Sequence, residues 1–213
     1  MARLTSGILG GISGTVGNVV GGRWRGIDYI RSKPASVKNP NTEAQQQQRM
    51  RFKLVIQFLR KISPLVNIGL SNGSNNRTPM NRGMSLNLKE AITGTFPDLE
   101  INWEKLIFSQ GNLAMGTNAA ADLSVADTVT ITWENTQSTS SSSDTDGALV
   151  LLSNTDRDEV VYSLHGASRV DGQVDVDIPQ EWSGENIACY LSFRSETGKD
   201  VSDNQFLGIE VAA

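Results

Sequence analysis

A single cysteine, Cys189, and a single histidine, His165, stand in a chain of 213 residues. One thiol cannot close an intramolecular disulfide, and one thiol with one imidazole cannot supply the clustered ligands of a structural zinc site. Cys189 falls in an alternating strand-like run and reads as a small buried hydrophobe. His165 follows a strand-like run beside Gly166 and reads as a surface or hydrogen-bonded group rather than a base. No serine occupies a G-x-S-x-G elbow. The glycine-rich stretch near the N terminus lacks the lysine of a G-x-x-x-x-G-K-[ST] loop, and strands rather than a helix follow it, so no helix N-terminus faces an anion. Asp144 with Asp146, and Asp156, Asp158 with Glu159, lack the spacing of an EF-hand loop and read as solvated turns. The expectation is a protein without enzymatic activity, cofactor or metal.

No apolar run reaches the roughly 20 residues that cross a bilayer as a helix. The opening MARLTSGILGGISG has one early arginine and an apolar stretch broken by glycine, without a sustained hydrophobic region. This predicts synthesis in the cytoplasm without a recognisable signal peptide, and no membrane partner.

The net charge of −4 hides a sharp division. Residues 1–90 hold 14 Lys and Arg against Asp28, Glu43 and Glu90, a balance of +11. Residues 91–213 hold 5 basic groups against 20 acidic ones, a balance of −15. Such asymmetry bears on partners and association rather than on fold.

Residues 7–34 concentrate glycine, aromatic and arginine residues. Two strand-like runs, 15–20 and 23–31, flank Gly21 and Gly22, and a Gly-Gly pair in that position predicts a hairpin turn. On the return strand Trp24, Gly26, Asp28 and Ile30 alternate with Arg23, Arg25, Ile27, Tyr29 and Arg31, so each face carries apolar groups and one is cationic. A two-stranded ribbon alone is marginal in water, which predicts that this one lies against something else.

Pro34 and Pro40 make residues 32–41 an extended connector. Thr42 as N-cap with Gln45 three residues on opens a helix that Pro64 ends, with Phe52, Val55, Ile56, Leu59 and Ile62 as its apolar stripe. Residues 64–70 allow a further short turn. A second helix is expected from Thr78 with Pro79 at its first position, its Met80 and Met84 acting as core filler, and Gly94 as its stop. From residue 99 the pattern is of short strands, at 99–103, 105–109, 128–133, 148–152, 160–164, 174–178, 187–193 and 206–211, with turn residues between them and a polar loop at 135–147. A β-sandwich follows from that series. The fold class expected is mixed and mainly β: an N-terminal β-hairpin arm at 1–41, a helical segment at 42–98, and an immunoglobulin- or fibronectin III-like sandwich at 99–213.

The run ITWE, the segment CYLSFRSETGKDVSDNQF and the closing FLGIEV resemble the B, F and G strands of fibronectin type III and related immunoglobulin-like modules. The first 90 residues resemble a family of bacterial and phage-encoded proteins that open with a glycine-rich segment. The residues carrying that likeness are GxxGxVGNVV from Gly11 to Val20, RWRGIDYIRSKP from Arg23 to Pro34, and KNPNTEAQ from Lys38 to Gln45. The combination is similar to virion structural proteins, and it implies no enzymatic activity.

The functional expectation is a structural assembly protein of a virion or extracellular filament. It docks onto copies of itself or onto other structural proteins through Arg23, Trp24, Arg25, Tyr29, Arg31 and Lys33. The alternatives are nucleic-acid binding by the basic half, with Trp24 and Tyr29 as stacking groups, and a carbohydrate- or receptor-binding adhesin using Trp182 and Tyr162. Against nucleic acid stands the acidic half, which would repel the same polyanion.

Overall fold

The computed structural model describes residues 3–4, 11–24, 26–36, 40–72, 77–135 and 142–213. The chain divides into two compact units, Met1–Thr42 and Glu43–Ala213. Residues 5–10 of the glycine-rich stretch, Arg25, Lys38, residues 73–76 and residues 136–141 of the long polar loop lie outside the described residues.

The first unit is a four-stranded antiparallel meander: β1 (Arg3–Leu4), β2 (Ile12–Val16), β3 (Val19–Trp24) and β4 (Ile27–Ser32), in that order across the sheet. The expected two-stranded ribbon turning at Gly21 and Gly22 is therefore corrected. Both glycines lie inside β3, and neither has positive φ. A side chain on Gly21 would collide with the Ile12 backbone of β2, and one on Gly22 would meet the Tyr29 ring, so these glycines serve close approach rather than a turn. One reversal falls at Gly17 and Asn18, between the paired Val16 and Val19, with Gly17 at φ 54°. Glycine with positive φ at the first central position is what a two-residue type II′ hairpin needs. The other falls between paired Trp24 and Ile27, where Gly26 has φ 88°.

The second unit starts with α1 (Glu43–Lys61), immediately after Thr42, then α2 (Ser63–Gly69) and α3 (Pro79–Glu90). Thr78 caps α3, its hydroxyl accepting from the Asn81 N–H at 3.2 Å. That helix ends before Gly94, at Glu90, and Gly94 sits instead in the hairpin of β5 (Ile92–Thr95) and β6 (Asp98–Ile101). The stripe of α1 that packs is Val55, Phe58 and Leu59, continued by Ile62 at the junction with α2. Phe52, expected in it, is 49% exposed. The partners of α1 include β6 and Trp103, whose ring meets Phe58 edge-on at 5.5 Å, and they engage the later turns of the helix.

Seven strands follow: β7 (Thr117–Val125), β8 (Thr128–Glu134), β9 (Gly147–Asn154), β10 (Glu159–Ser163), β11 (Gln173–Asp177), β12 (Asn186–Arg194) and β13 (Gln205–Val211). They form two antiparallel sheets, β10-β9-β12-β13 and β11-β8-β7. Counted along the chain, ITWE lies in the second strand, CYLSFR in the sixth and FLGIEV in the seventh, as the B, F and G assignment requires. This is a fibronectin III-like β-sandwich, and the mainly β class holds; the helices are three where two were expected, because residues 63–69 form the helix α2 rather than a short turn.

Period-2 alternation sorts the side chains into two cores. Val150, Leu152, Cys189, Leu191 and Phe193 point between the sheets, against Val129, Ile131, Trp133 and Trp182. Leu149, Leu151, Ala188 and Tyr190 point the other way, into a second core closed by α1, α2 and α3. All eight residues of β9 are buried because both of its faces are covered. The helices and the sandwich therefore share one core within Glu43–Ala213.

From residue 99 on, two strands differ from expectation. Residues 105–109 pair with no strand; Trp103–Lys105 forms a 3-10 turn, and the following backbone is held by side-chain amides. Asn87, fully buried on α3, donates to the Ile107 carbonyl at 2.7 Å and accepts from the Ile107 N–H at 2.9 Å. Asn204 accepts from the N–H groups of Phe108 and Ser109 and donates to the Leu106 carbonyl. The strand β7 was not expected, because TNAAADLSV is poor in β-branched residues.

Candidate functional site

Among the described residues no group of three or more His, Cys, Asp or Glu could hold a metal ion. The acidic pairs have other partners. Asp146 is buried and bonds the equally buried Arg169 at 3.2 Å, and Asp156 accepts from the backbone and side chain of Asn186. Burial lowers the Arg169 pKa and Asp146 opposes that shift, so the pair is a sealed structural contact. Arg169 also donates to the Ala114 and Met115 carbonyls and lies 3.9 Å from the centre of the Phe193 ring. Burial pushes the Cys189 thiol up to about 12, far from a reactive thiolate. The buried hydroxyls of Ser109, Ser192 and Ser202 bond one another and nearby backbone. His165 is exposed, with its ring over Gly147. Trp182 is 1% exposed and its indole N–H donates to Glu159 at 2.9 Å, so it is a core residue rather than a sugar-stacking surface; Tyr162 packs at the helix-side core. A polar concavity of about 640 Å³ bordered by Arg82, Gln110, Lys199 and Asp203 mixes charges of both signs.

Among the described residues, six of the thirteen large exposed apolar side chains lie in the short first unit, at Val16, Val19, Trp24, Ile27, Tyr29 and Ile30. Trp24 is 64% exposed, Ile27 66%, Ile30 62% and Tyr29 45%. Register decides which of them meet. Directly opposed residues of an antiparallel pair point to the same face. Trp24 is opposite Ile27, Gly22 opposite Tyr29 and Val20 opposite Arg31, which gives one face Trp24, Ile27, Tyr29 and Arg31. Trp24, Ile27 and Tyr29 line a cleft of about 450 Å³. Arg23 is opposite Asp28, at 3.7 Å, on the other face with Ile30.

The expected alternation is thus corrected at one point. With the reversal after Trp24 instead of before Arg23, the tryptophan changes face and joins Tyr29 and Arg31, while Arg23 leaves them. Of the six residues expected to interact, the structure brings together Trp24, Tyr29 and Arg31; Lys33 is exposed just beyond β4, its N–H donating to the Asn18 carbonyl at 2.8 Å; Arg23 faces the other way; Arg25 lies outside the described residues. Ile27 is the member that sequence reasoning did not single out. Its signal was present in the sequence as the second apolar residue flanking the Arg-Gly turn.

No curated protein matches the chain. Among solved structures, the fibronectin domains FN1-FN3 of chicken CNTN1 match at 6% identity with a TM-score of 0.35. That match covers 49% of this chain and 33% of the other, so it spans about a third of the chicken structure. A family model, described as a family of unknown function (DUF6266), matches residues 11–208. It takes in β2, β3 and β4 as well as the helices and nearly all of the sandwich, and the chain belongs to the DUF6266 family.

Proposed function

We propose that this is a non-enzymatic assembly protein, whose N-terminal sheet docks on protein and whose sandwich is the body being assembled. The observation that carries the reading is the exposed cleft of Trp24, Ile27 and Tyr29 with Arg31 beside it. Leaving three large apolar side chains in water on a small sheet is unfavourable by about 25 cal/mol per Å² of apolar surface. Tryptophan, tyrosine and arginine are also the residue types enriched as anchors in protein interfaces. The unit that carries them has six Lys and Arg against one acidic residue, and the C-terminal 123 residues have a balance of −15. Opposed blocks on one chain suit head-to-tail contacts, in which a patch on one copy meets a different patch on the next. The resemblance to bacterial and phage-encoded proteins extends the proposal to a virion component, of capsid, tail or decoration, or to an extracellular filament.

The test is electron microscopy of the purified chain beside a version lacking residues 1–42. The full chain forms discrete multimeric particles or filaments, and the truncated chain remains as single folded units. Single particles from the full chain at all concentrations, with and without other structural proteins of the same source, would contradict the assembly role.

A further inference from the structure

The two outer faces of the sandwich have different fates. Helices cover the outside of β10-β9-β12-β13, and no described residue of the second unit packs over the exposed outer face of β11-β8-β7. On that second face the register sets Asp122 and Asp175 on either side of Thr130, and Asp177 opposite Thr128. Glu134 ends the same face of β8. The alternation is clean: in β8 and β11, Val129, Ile131, Trp133, Val174 and Val176 are buried, while Thr132, Glu134, Asp175 and Asp177 are exposed. The three strands hold no lysine or arginine. Asp175 accepts from the Thr130 hydroxyl at 2.7 Å, Asp122 from the Ser124 N–H at 2.9 Å, and Glu134 from the Asn118 amide at 2.9 Å. The carboxylates are oriented, but each of these partners is neutral. With strands about 4.8 Å apart, Asp122 and Asp175 are about 10 Å apart across the sheet, and no opposite charge lies on the strand between them. Like charges on one sheet face repel, and a cationic partner relieves that repulsion.

We infer that this bare acidic face, Asp122, Glu134, Asp175 and Asp177 over the threonine row of β8, is the surface on which the N-terminal sheet of a second copy docks. The inference rests on the proposed assembly role and supplies its acceptor. The sizes agree: six residues of β4 and seven of β8 extend about 20 Å and about 23 Å at the rise of a strand. The chemistry agrees as well. Arg31 on the cleft face, with Lys33 just beyond β4, brings positive charge to carboxylates, and Val125 and Ala120 on the acceptor face give the aromatic cleft apolar ground. The contact is heterologous, so one copy offers both halves and the chain propagates.

That asymmetry gives the experiment its form. Sedimentation velocity at about 0.1 M salt compares the wild type, Trp24→Ala, the double variant Asp175→Lys with Asp177→Lys, and an equimolar mixture of the two variants. The isosteric Asp175→Asn with Asp177→Asn keeps the fold if lysine does not, and thermal unfolding of each variant checks that. The wild type sediments as a concentration-dependent series, each variant alone as a monomer, and the mixture as a one-to-one dimer and nothing larger, because one intact arm meets one intact face. If the acidic-face variants associate like the wild type while Trp24→Ala does not, the acceptor face is wrong and the arm reading stands. If Trp24→Ala also associates like the wild type, the arm reading itself fails. A monomeric wild type overturns the second copy as occupant, and a mixture that stays monomeric with both variants folded overturns the heterologous geometry.

Discussion

Gly22 lies directly opposite Tyr29 in the N-terminal sheet, and a β-carbon on Gly22 would come within 2.9 Å of the tyrosine hydroxyl oxygen. The ring lies over the glycine, and this fixes one wall of the cleft it shares with Trp24 and Ile27. Gly22→Val displaces the ring tip and opens the cleft. Its expected effect is weaker association with the unfolding midpoint of the second unit unchanged. Gly21→Ala acts differently, because the added carbon meets backbone of Ile12 rather than a movable side chain. It separates β2 from β3, seen as faster amide exchange along both strands.

Asn87 and Asn204 take the place of a neighbouring strand for residues 106–109. Replacing Asn87 by alanine orphans the N–H and C=O of the half-buried Ile107, at about 1 kcal/mol for each group left unpaired, the low end of the range for fully buried groups. Urea denaturation reads that loss. Asn87→Asp, which keeps an acceptor but loses the amide donor, is also destabilising.

Arg169 and Asp146 are both about 2% exposed. Removing one partner strands a buried charge, and Asp146→Ala is expected to destabilise by about 3–5 kcal/mol. The paired replacement Arg169→Met with Asp146→Leu recovers much of that loss, since neither charge then remains. Equal destabilisation by the single and double variants would show that the hydrogen bonds of Arg169 to the Ala114 and Met115 carbonyls carry the stability instead.

Cys189 reports on folding rather than on chemistry. With its thiol pushed up to about 12 by burial, it stays unmodified by iodoacetamide at pH 8 in the native state and reacts on unfolding. The burial of Tyr190 raises its pKa in the same direction. A folded pKa above the unfolded one stabilises the protein below the unfolded value, here about 8.5 for cysteine, and the contribution is lost as pH rises toward 12. Midpoints measured from pH 7 to 10 therefore decline on the alkaline side, and Cys189→Ala removes the cysteine's share of that decline.

Binding to nucleic acid makes a distinct prediction. Arg23 and Arg31 lie on opposite faces of the sheet, so they do not form one phosphate-tracking row. Each phosphate contact contributes a slope of about −0.9 in log K against log salt for duplex DNA. Filter binding with short duplex and single-stranded oligonucleotides is expected to give weak affinity at physiological salt and a slope shallower than about −3. A steep slope lost on Arg23→Ala with Arg25→Ala would favour the nucleic-acid reading.

Period-2 alternation made the sandwich legible: residues 128–133, 174–178 and 187–193 each set apolar side chains on one face or both, and the burial follows. The helix starts were readable because Thr42 and Thr78 stand directly before Glu43 and Pro79. What the sequence obscured was pairing. Gly21 and Gly22 carry a turn signal, but the glycines that actually reverse the chain are Gly17 and Gly26, and only contact with Ile12 and Tyr29 tells the two uses of glycine apart. The face assignment of Trp24 depended on that choice. Residues 105–109 have strand character with no strand to pair with, and the asparagines that satisfy them come from about 20 and 95 residues away in sequence. The acidic outer face was visible only as a net charge until register placed Asp122, Asp175 and Asp177 on one side of one sheet.

The measurement that bears most directly on the central claim is the weight-average mass of the purified wild-type chain by sedimentation equilibrium, across concentration at 0.1 M and 1 M salt. The Debye length falls from about 10 Å to about 3 Å over that range, so contacts between oppositely charged surfaces weaken while the cleft's apolar contribution remains. The expected result is a mass above that of the monomer at 0.1 M, rising with concentration and reduced at 1 M, with Trp24→Ala at monomer mass throughout. A wild type that holds the monomer mass at every concentration in low salt, or a Trp24→Ala protein indistinguishable from it in association, would contradict the account.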